Sequence, residues 1–464
     1  MVKNRRFADE NAYGTRHLQI FLLCTGLTVG FAMRVNLSVA VVAMADLPEF
    51  QWSEKIKALV LSSFFWGYLF PQLPAGPLAR KYGGKVMILA GLAMSAVLNV
   101  LTPMLAYMGN WKLICAVRLL EGLGQGVLFP SVHTVISAWV LPKERASMGN
   151  FTYAGNQFGT IAMLASSGLL ASIGGWPLIF YASGGAGCIW SVVYFIWGAS
   201  SPKDSKTITA EERELIEMAQ AGERSENAEQ PHSGQATPWK SLFTSRAVLA
   251  LVVVQSSYAY GYWTMLTQIP SYMKNVLDKD IKANALLSAL PYTAMLCFCF
   301  FFAWISKLMQ NKDSISLSFN RKFFNTIGMW IPMCLLIGLG YVPKDNDTLA
   351  VVLLTSTVGI TAATHVGFLI NHIDLTPNFA GILMGICNAV ANVMSLLAPL
   401  LVGVIVTDKH DASQWRWVFV IAAGVYFTGN SFFLIFGRTS VQSWNEPPTK
   451  LRRNSTAVLE AHKV

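Results

Sequence analysis

Short polar turns divide this sequence into long apolar stretches, and each stretch is long enough to cross a lipid bilayer as a helix. About 20 apolar residues are needed to span the hydrocarbon core. Only 13% of the residues are charged and 53% are hydrophobic, whereas about a quarter of a soluble protein is charged. We therefore predict an all-α membrane protein. Its twelve predicted spans are 18–45, 56–78, 85–107, 112–140, 146–173, 177–198, 247–272, 284–308, 323–342, 349–372, 379–406 and 414–437.

One long polar segment, 199–246, separates six predicted spans from six. We predict an N-terminal six-helix bundle over 1–198, a cytosolic linker over 199–246, a C-terminal six-helix bundle over 247–437 and a cytosolic tail over 438–464. With both termini inside, 24 Lys and Arg residues fall on the inner side and 9 on the outer side. This bias agrees with the positive-inside rule. Two six-helix halves are typical of transporters that bind their substrate between the halves.

Three charged residues lie deep in the predicted spans, Arg34, Arg118 and Glu121, and their charges sum to +1. Charges at this depth are costly, so they usually face a protein interior or a water-filled path. Because a guanidinium forks onto carboxylate or phosphate oxygens, we predict an anion cavity with Arg34 and Arg118 as substrate ligands. The alternative is an ion pair between Glu121 and one arginine that only holds helices together. Arg34 would then have no obvious partner.

Other polar residues in the spans are weaker candidates. His133 follows Pro130 and could accept a coupling proton, or it could bond to a carbonyl that Pro130 leaves free. Tyr262 lies four residues after Tyr258, and Asn388 lies four residues before Asn392, so each pair shares a helix face. We predict Tyr262 and Asn388 as substrate contacts, with interhelical hydrogen bonds as the alternative.

The remaining features argue against other classes of protein. The net charge of +10 does not indicate nucleic-acid binding, because the basic residues are scattered over loops and tails. The seven cysteines fall in apolar stretches, and none has a metal-ligand spacing. The sequence contains no P-loop, no His-Glu-x-x-His and no nucleophile elbow. We predict no enzyme activity, no structural metal and no cofactor beyond a coupling ion, either sodium or a proton.

Four spaced motifs together resemble one family. They are MRVNLSVA at 33–40, RLLEGLGQGV at 118–127 with Phe129-Pro130-x-x-His133, SALPY at 288–292, and NHID at 371–374 followed by Ala380-Gly381 and Asn388. This set is similar to the anion/cation symporters of solute carrier family seventeen. These are major facilitator proteins that include the type I sodium/phosphate cotransporters, sialin and the vesicular glutamate transporters.

The resemblance implies the major facilitator fold and transport of small anions by alternating access. It also implies that Arg34 contacts the substrate and that Glu121 and His133 take part in cation or proton coupling. We expect either inorganic phosphate carried by sodium symport or an organic carboxylate driven by protons or membrane potential. We expect a monomer in the plasma membrane or in a vesicle or lysosome membrane.

Three positions depart from the family pattern. Gln125 stands where sialin and the glutamate carriers have an acid, and Arg80 and Lys307 stand where inner-loop aspartates are usual. Reversed charges at the inner gate suggest a second hypothesis, a non-transporting sensor or scaffold built on a carrier fold.

Overall fold

The computed structural model describes residues 14–45, 47–141, 145–228, 239–310, 315–343, 346–376 and 379–445. Every regular element in these residues is helical. The predicted tail beyond Asn445 and the first thirteen residues lie outside them. Twelve spans are formed by Thr15–Met44, Glu54–Leu69 with Gln72–Tyr82, Gly84–Gln125 with Leu128–Trp139 (two spans), Arg145–Trp197 (two spans), Arg246–Asn275, Ile281–Gln310, Leu317–Leu339, Asp347–Ile360 with Phe368–Leu375, Ala380–Ile405 and Ala412–Phe436. The predicted all-helical fold with twelve spans is confirmed.

Two pairs of spans are joined by very short turns in which one or two residues have non-helical backbone. Between the third and fourth spans the chain reverses at Asn110, whose φ is 52°. The Asn110 Oδ1 accepts hydrogen bonds from the Trp111 N–H at 2.7 Å and from the Trp52 Nε1–H at 2.6 Å, which stabilises this turn. Between the fifth and sixth spans the reversal uses Gly175, whose φ of 69° favours glycine.

Besides the second span, which breaks between Leu69 and Gln72, two further spans that the sequence predicted as continuous are interrupted. The fourth span stops at Gln125 and resumes at Leu128. The tenth span passes through a 3₁₀ turn, Thr361–His365, and has non-helical backbone at Gly367 before its last helix. Interrupted helices are tolerated at membrane depth where the backbone is buried in protein or lines a cavity. Both interruptions lie in spans that carry predicted functional motifs.

The linker between the halves contains a helix, Ala210–Ala228, that packs on the first half. Thr209 caps this helix, because its Oγ1 accepts the Glu212 N–H at 3.2 Å. Ile216 is fully buried against residues of the first half. Farther along, the short helix Trp239–Thr244 packs against the seventh span and buries Leu242. Each end of the linker is therefore anchored on a different half.

The two halves meet where the first span contacts the seventh, where the second contacts the eleventh, and where the helix that forms the fifth and sixth spans contacts the eighth. At the predicted outer end, a Cβ added to Gly403 would lie 2.3 Å from the Ala58 Cβ. Toward the predicted inner end, Asn388 Nδ2 donates to Gln72 Oε1 at 3.4 Å. Contacts on both sides of the midplane thus enclose the space between the halves.

Candidate functional site between the two halves

Arg34 projects from the middle of the first span into a shell of aromatic rings. Its side chain is almost completely buried, with the residue 6% exposed. Its guanidinium carbon lies 4.3 to 5.4 Å from five ring centroids, those of Phe31, Phe64, Phe65, Tyr68 and Trp263. Cation–π contacts stabilise a desolvated charge by about 2 kcal/mol or more. The rings therefore hold a positive charge at a depth where it would otherwise be costly.

The edge of the Arg34 guanidinium is unused by the protein. Its Nε and Nη2 atoms are buried and have no hydrogen-bond partner among the described residues. Aromatic faces attract the cation but accept N–H groups poorly, so the rings do not satisfy these donors. A carboxylate or phosphate would satisfy both donors in the fork geometry that guanidinium groups prefer. This edge can bind an anion.

A small cavity of about 20 Å³ lies beside this guanidinium. It has room for about one water molecule. Both halves line this cavity. The N-terminal half contributes residues of the first, second and fourth spans, and the C-terminal half contributes residues of the seventh span. The lining includes Arg34, Ser38, Phe65, Arg118, Trp263 and Thr267. An organic anion or phosphate is larger than this space, so binding requires the halves to move apart.

Arg118 lines the same cavity but is engaged by the protein. Its Nη1 donates to Glu121 Oε2 at 2.8 Å and to the carbonyl of Met33 at 3.0 Å. Its Nη2 donates to the carbonyl of Arg34 at 2.7 Å. The guanidinium is thus bound to a carboxylate on its own helix and to two carbonyls of the first span. This pairing is the alternative that the sequence left open.

Glu121 is fully buried and is held on both oxygens. While Oε2 accepts from Arg118, Oε1 accepts from Asn99 Nδ2 at 2.6 Å. Asn99 Oδ1 accepts from Asn36 Nδ2 at 2.5 Å, and that same Nδ2 donates to Ser183 Oγ at 3.0 Å. Four spans of the first half meet in this network, which we call the buried polar network: Asn36, Asn99, Arg118, Glu121 and Ser183.

The sequence analysis missed Asn99 and Ser183 and did not single out Asn36. Asn36 stands two residues from Arg34 in a strong motif. Asn99 is an isolated amide in an otherwise apolar span, and such residues usually find partners on neighbouring helices. Ser183 carries no comparable signal, because serine also bonds to its own helix, as it does here to the carbonyl of Ile179 at 2.9 Å.

His133 lies apart from Arg34 and Glu121. It is exposed, and its ring centroid lies 5.4 Å from that of Tyr153. Twelve residues separate it from Glu121, which corresponds to about 18 Å along a helix. Phe129 stacks on the same Tyr153 at 5.7 Å and meets Phe31 of the shell edge-on at 6.3 Å. An aromatic chain therefore connects the surroundings of His133 with those of Arg34.

Tyr262 and Asn388 are not part of the cavity lining. The Tyr262 ring meets the Trp263 ring edge-on at 5.6 Å and stacks on Tyr258 at 5.8 Å. Asn388 lies two helical turns before Leu396, which packs beside the rings around Arg34. Two turns amount to about 12 Å along the helix. Asn388 instead bonds to Gln72 across the two halves.

Residues 23–380 match the model of the Major Facilitator Superfamily. The chain belongs to this superfamily. This membership confirms the fold that the motifs implied, and its proteins are transporters rather than enzymes.

Similar proteins narrow the family further. A Drosophila melanogaster protein named "Putative inorganic phosphate cotransporter" is 37% identical over 94% of this chain and 88% of its own length. Human sialin is 33% identical over 90% of this chain and 88% of its own. Human vesicular glutamate transporter 2 is 30% identical over 95% of this chain and 77% of its own. This facilitator therefore belongs with the anion carriers of solute carrier family seventeen, as the motifs indicated.

Solved structures share the facilitator fold. A bacterial homologue of the human lysosomal transporter Spinster, inward-facing and unoccupied, has a TM-score of 0.68 at 15% identity and covers 91% of this chain and 98% of its own. The E. coli xylose transporter XylE, partially occluded and inward open, has a TM-score of 0.70 at 13% identity and covers 91% of this chain and 99% of its own. At this identity the likeness concerns the fold alone.

Within this facilitator, the predicted site residues separate by position. Arg34 and Arg118 share the cavity between the halves, and Glu121 lies directly behind Arg118. Tyr262 is one ring removed, whereas His133 and Asn388 are farther away. Of the two reversed inner-loop charges, Lys307 is exposed near the end of the eighth span, and the side chain of Arg80 lies outside the described part of the structure.

Proposed function

We propose that this protein moves a small anion across its membrane by alternating access, with Arg34 as the residue that binds the anion. The observation that carries the proposal is the unused edge of a fully enclosed guanidinium. Arg118 and Glu121 neutralise each other, so the net charge of +1 in the membrane interior resides on Arg34. An anion bound there removes that uncompensated charge, which favours binding in a region of low dielectric.

Two substrate classes fit this chemistry, inorganic phosphate and an organic carboxylate. Both present at least two oxygens to a guanidinium fork. The similar proteins support the same pair, since one is named for inorganic phosphate and another for glutamate. The cavity wall on the second half offers Trp263 and Thr267, one turn apart, to the rest of the substrate.

Trp263 gives alternating access a physical basis at this site. It belongs to the second half, yet its ring lies 4.3 Å from the guanidinium carbon of Arg34 in the first half. Separation of the halves withdraws Trp263 and exposes the charge to water. Closure around an anion restores the ring contact and excludes water. The same residue pair would thereby close over the substrate in each cycle.

Coupling to sodium or protons is part of the proposal, with Glu121 as the central residue. Arg118 joins Glu121 to the carbonyls of Met33 and Arg34. A cation or proton that weakens the bond between Arg118 and Glu121 would therefore shift the backbone that carries the anion ligand. His133 is a second candidate proton site.

Uptake into proteoliposomes tests this function. The purified protein is reconstituted and assayed with radiolabelled phosphate and with a panel of monocarboxylates, in sodium or in choline and with or without a pH gradient. We expect Arg34→Ala to abolish uptake, because the anion then enters a low-dielectric cavity without a counter-charge. Arg34→Lys should retain a small fraction of it, since lysine keeps the charge but loses the fork.

A matched control is Arg416→Ala. Arg416 also lies over an aromatic ring, that of Tyr341 at 4.4 Å, but it belongs to the predicted outer surface. Its loss should leave uptake near the wild-type rate. Full uptake by Arg34→Ala would refute Arg34 as the anion ligand. Ligand binding without uptake in the wild type would instead favour a sensor or scaffold.

We further propose a monomer with both termini cytosolic, in the plasma membrane or in a vesicle or lysosome membrane. The excess of basic residues on the predicted inner side supports this orientation. Epitope tags at the two ends, probed before and after membrane permeabilisation, test the topology. Labelling of either tag in intact cells would refute it for a plasma-membrane protein.

A further inference from the structure

A segment beyond the twelfth span folds back onto the second half. Residues 437–445 follow that span and reach the predicted inner end of the tenth span, and we call them the C-terminal strap. The Gln442 N–H donates to the carbonyl of Leu375 at 3.0 Å, and the Thr376 hydroxyl donates to Asn445 Oδ1 at 2.8 Å. These bonds join the strap to the last residues of the tenth span.

The attachment of the C-terminal strap is buried. Thr376 is completely buried and Asn445 is 5% exposed, so the hydrogen bond between them is shielded from water. The Trp444 ring lies 6.5 Å from that of Phe379, which precedes the eleventh span, and it is partly buried against the core. Breaking a shielded hydrogen bond leaves buried groups unpaired, which is costly, so the strap is a folded part of the second half.

The helix that receives the strap, Phe368–Leu375, is separated from the rest of its span, and we call it the terminal helix of the tenth span. The 3₁₀ turn Thr361–His365 comes before it, and Gly367 has non-helical backbone with a φ of −89° and a ψ of −111°. A few residues at the end of an element are enough to act as a hinge. The terminal helix can therefore change its direction while the rest of the span stays folded.

Arg321 of the ninth span holds the two sides of this break together. Its Nε and Nη2 donate to the carboxylate of Asp374 at 2.7 and 3.2 Å, and its Nη1 donates to the carbonyl of Val366 at 3.2 Å. Val366 lies before the hinge, whereas Asp374 lies on the terminal helix after it. Arg321 and the C-terminal strap therefore both oppose movement of the terminal helix.

The terminal helix is held in a position that leaves polar groups unpaired. Asn371 is 1% exposed and His372 is 2% exposed. Both polar atoms of the Asn371 side chain and the Nε2 of His372 have no hydrogen-bond partner among the described residues. Buried polar groups without partners destabilise the position in which they are held. If the helix turned about the hinge, water could reach these groups, so they favour a second orientation of the helix.

We propose that the C-terminal strap is a latch at the inner face of this carrier. While it is attached, it holds the terminal helix in place. When it detaches, the terminal helix turns about Gly367 and opens the inner face, and the hydration of Asn371 and His372 favours this turn. The strap thereby sets how often the inner face opens.

The terminal helix is placed to affect the anion path. Phe368 at its beginning contacts Tyr258 of the seventh span, with ring centroids 5.6 Å apart. Tyr258 lies five residues before Trp263, which is about 7.5 Å along the helix toward the predicted inner face. Turning the terminal helix would uncover this part of the seventh span. The proposal rests on the proposed anion transport only in this step, whereas the latch itself can be tested without transport.

Two truncations of the chain test the latch. The first ends at Gly437 and lacks the C-terminal strap, whereas the second ends at Asn445, keeps the strap and is the matched control. Hydrogen–deuterium exchange of the backbone amides in Phe368–Leu375 is compared in detergent with that of the full chain. We expect the first truncation to accelerate this exchange about tenfold or more, since local opening becomes easier when the attaching hydrogen bonds are lost. The second truncation should exchange at the wild-type rate.

A single substitution tests the attachment in the complete chain. Thr376→Val removes the hydroxyl that donates to Asn445 and keeps the shape of the side chain. We expect it to accelerate exchange in the terminal helix severalfold, while exchange in Leu317–Leu339 of the ninth span stays unchanged. Ser443→Ala, at an exposed position of the strap, is the control and should exchange like the wild type.

The outcomes separate the latch from the proposed function. Faster exchange in the first truncation and in Thr376→Val, with both controls unchanged, supports the latch even if no anion uptake is detected. Wild-type exchange in the first truncation, or equal acceleration in both truncations, overturns it even if uptake occurs. Equal acceleration throughout the second half in Thr376→Val also overturns it, because the strap would then stabilise the fold as a whole.

The role of the latch at the inner face has its own readout. A carrier that opens more often to the inside is less often open to the outside, so its apparent affinity for an external anion falls. The probe is the anion that is taken up, radiolabelled phosphate or a monocarboxylate. We expect its half-saturating external concentration to rise about three- to tenfold in the first truncation and to keep the wild-type value in the second. An unchanged value in the first truncation, together with faster exchange, would overturn the role in transport.

Discussion

At the scale of single residues, two arginines of the same cavity have opposite surroundings. Arg118 donates to a carboxylate and to two backbone carbonyls, whereas Arg34 faces aromatic rings and keeps Nε and Nη2 unpaired. A guanidinium that is already hydrogen-bonded can bind a ligand only by giving up a bond. The Nε and Nη2 groups of Arg34 can bind a ligand without giving up a bond. This difference supports the proposal that Arg34 binds the anion while Arg118 holds the protein together.

Arg118→Lys tests this division of roles. Lysine keeps one positive charge for Glu121 but cannot reach Glu121 and both carbonyls with a rigid fork. We expect a loss of stability of about 2 kcal/mol, the usual range for hydrogen bonds to a charged group. Thermal unfolding measures it. Anion affinity should fall less than in Arg34→Lys, and the reverse order would contradict the assignment.

At the scale of helices, the linker helix caps the first span. Glu212 is fully buried and accepts the backbone N–H of Thr15 at 2.8 Å and of Arg16 at 2.9 Å, at the beginning of the helix that carries Arg34. The first N–H groups of a helix have no partner within it, and a carboxylate there also interacts favourably with the helix dipole. The linker is thus a structural part of the first half.

Glu212→Gln is expected to loosen this attachment. The glutamine amide can accept with one oxygen only, and its NH₂ group would face the second backbone N–H. The expected loss is about 1–3 kcal/mol. Limited proteolysis of the linker, together with thermal unfolding, measures the effect. Glu211→Gln, at the exposed neighbouring position, is the control, and equal proteolysis of both variants would contradict the capping role.

At the scale of the whole molecule, transport requires that the halves close alternately at the two faces of the membrane. The second and eleventh spans are in close contact where Gly403 meets Ala58, with no room for a side chain on the glycine. The opposite end is held by the bond between Asn388 and Gln72. The cavity beside Arg34 lies between these two contacts. Each contact therefore closes the cavity toward one face of the membrane.

Gly403→Val should therefore act as a wedge. We expect it to slow anion uptake about tenfold or more. Overpacking by the valine should destabilise the state in which this end is closed by roughly 1–3 kcal/mol, so that state is populated less often. Gly385→Val on the same helix is the matched control, since no atom lies within 4 Å of a Cβ at that position. Similar uptake by the two variants would show that this contact does not limit transport.

The sequence by itself determined the twelve spans, the superfamily and the three interior charges, because hydrophobic length and charge are properties of local segments. It could not decide which arginine pairs with Glu121, nor detect the network in which Asn36 meets Asn99 and Ser183, 63 and 147 residues away along the chain. Those partners depend on which helix faces meet. Only the tertiary structure brings them together, and in doing so it leaves Arg34 as the one interior charge without a counter-ion among the described residues.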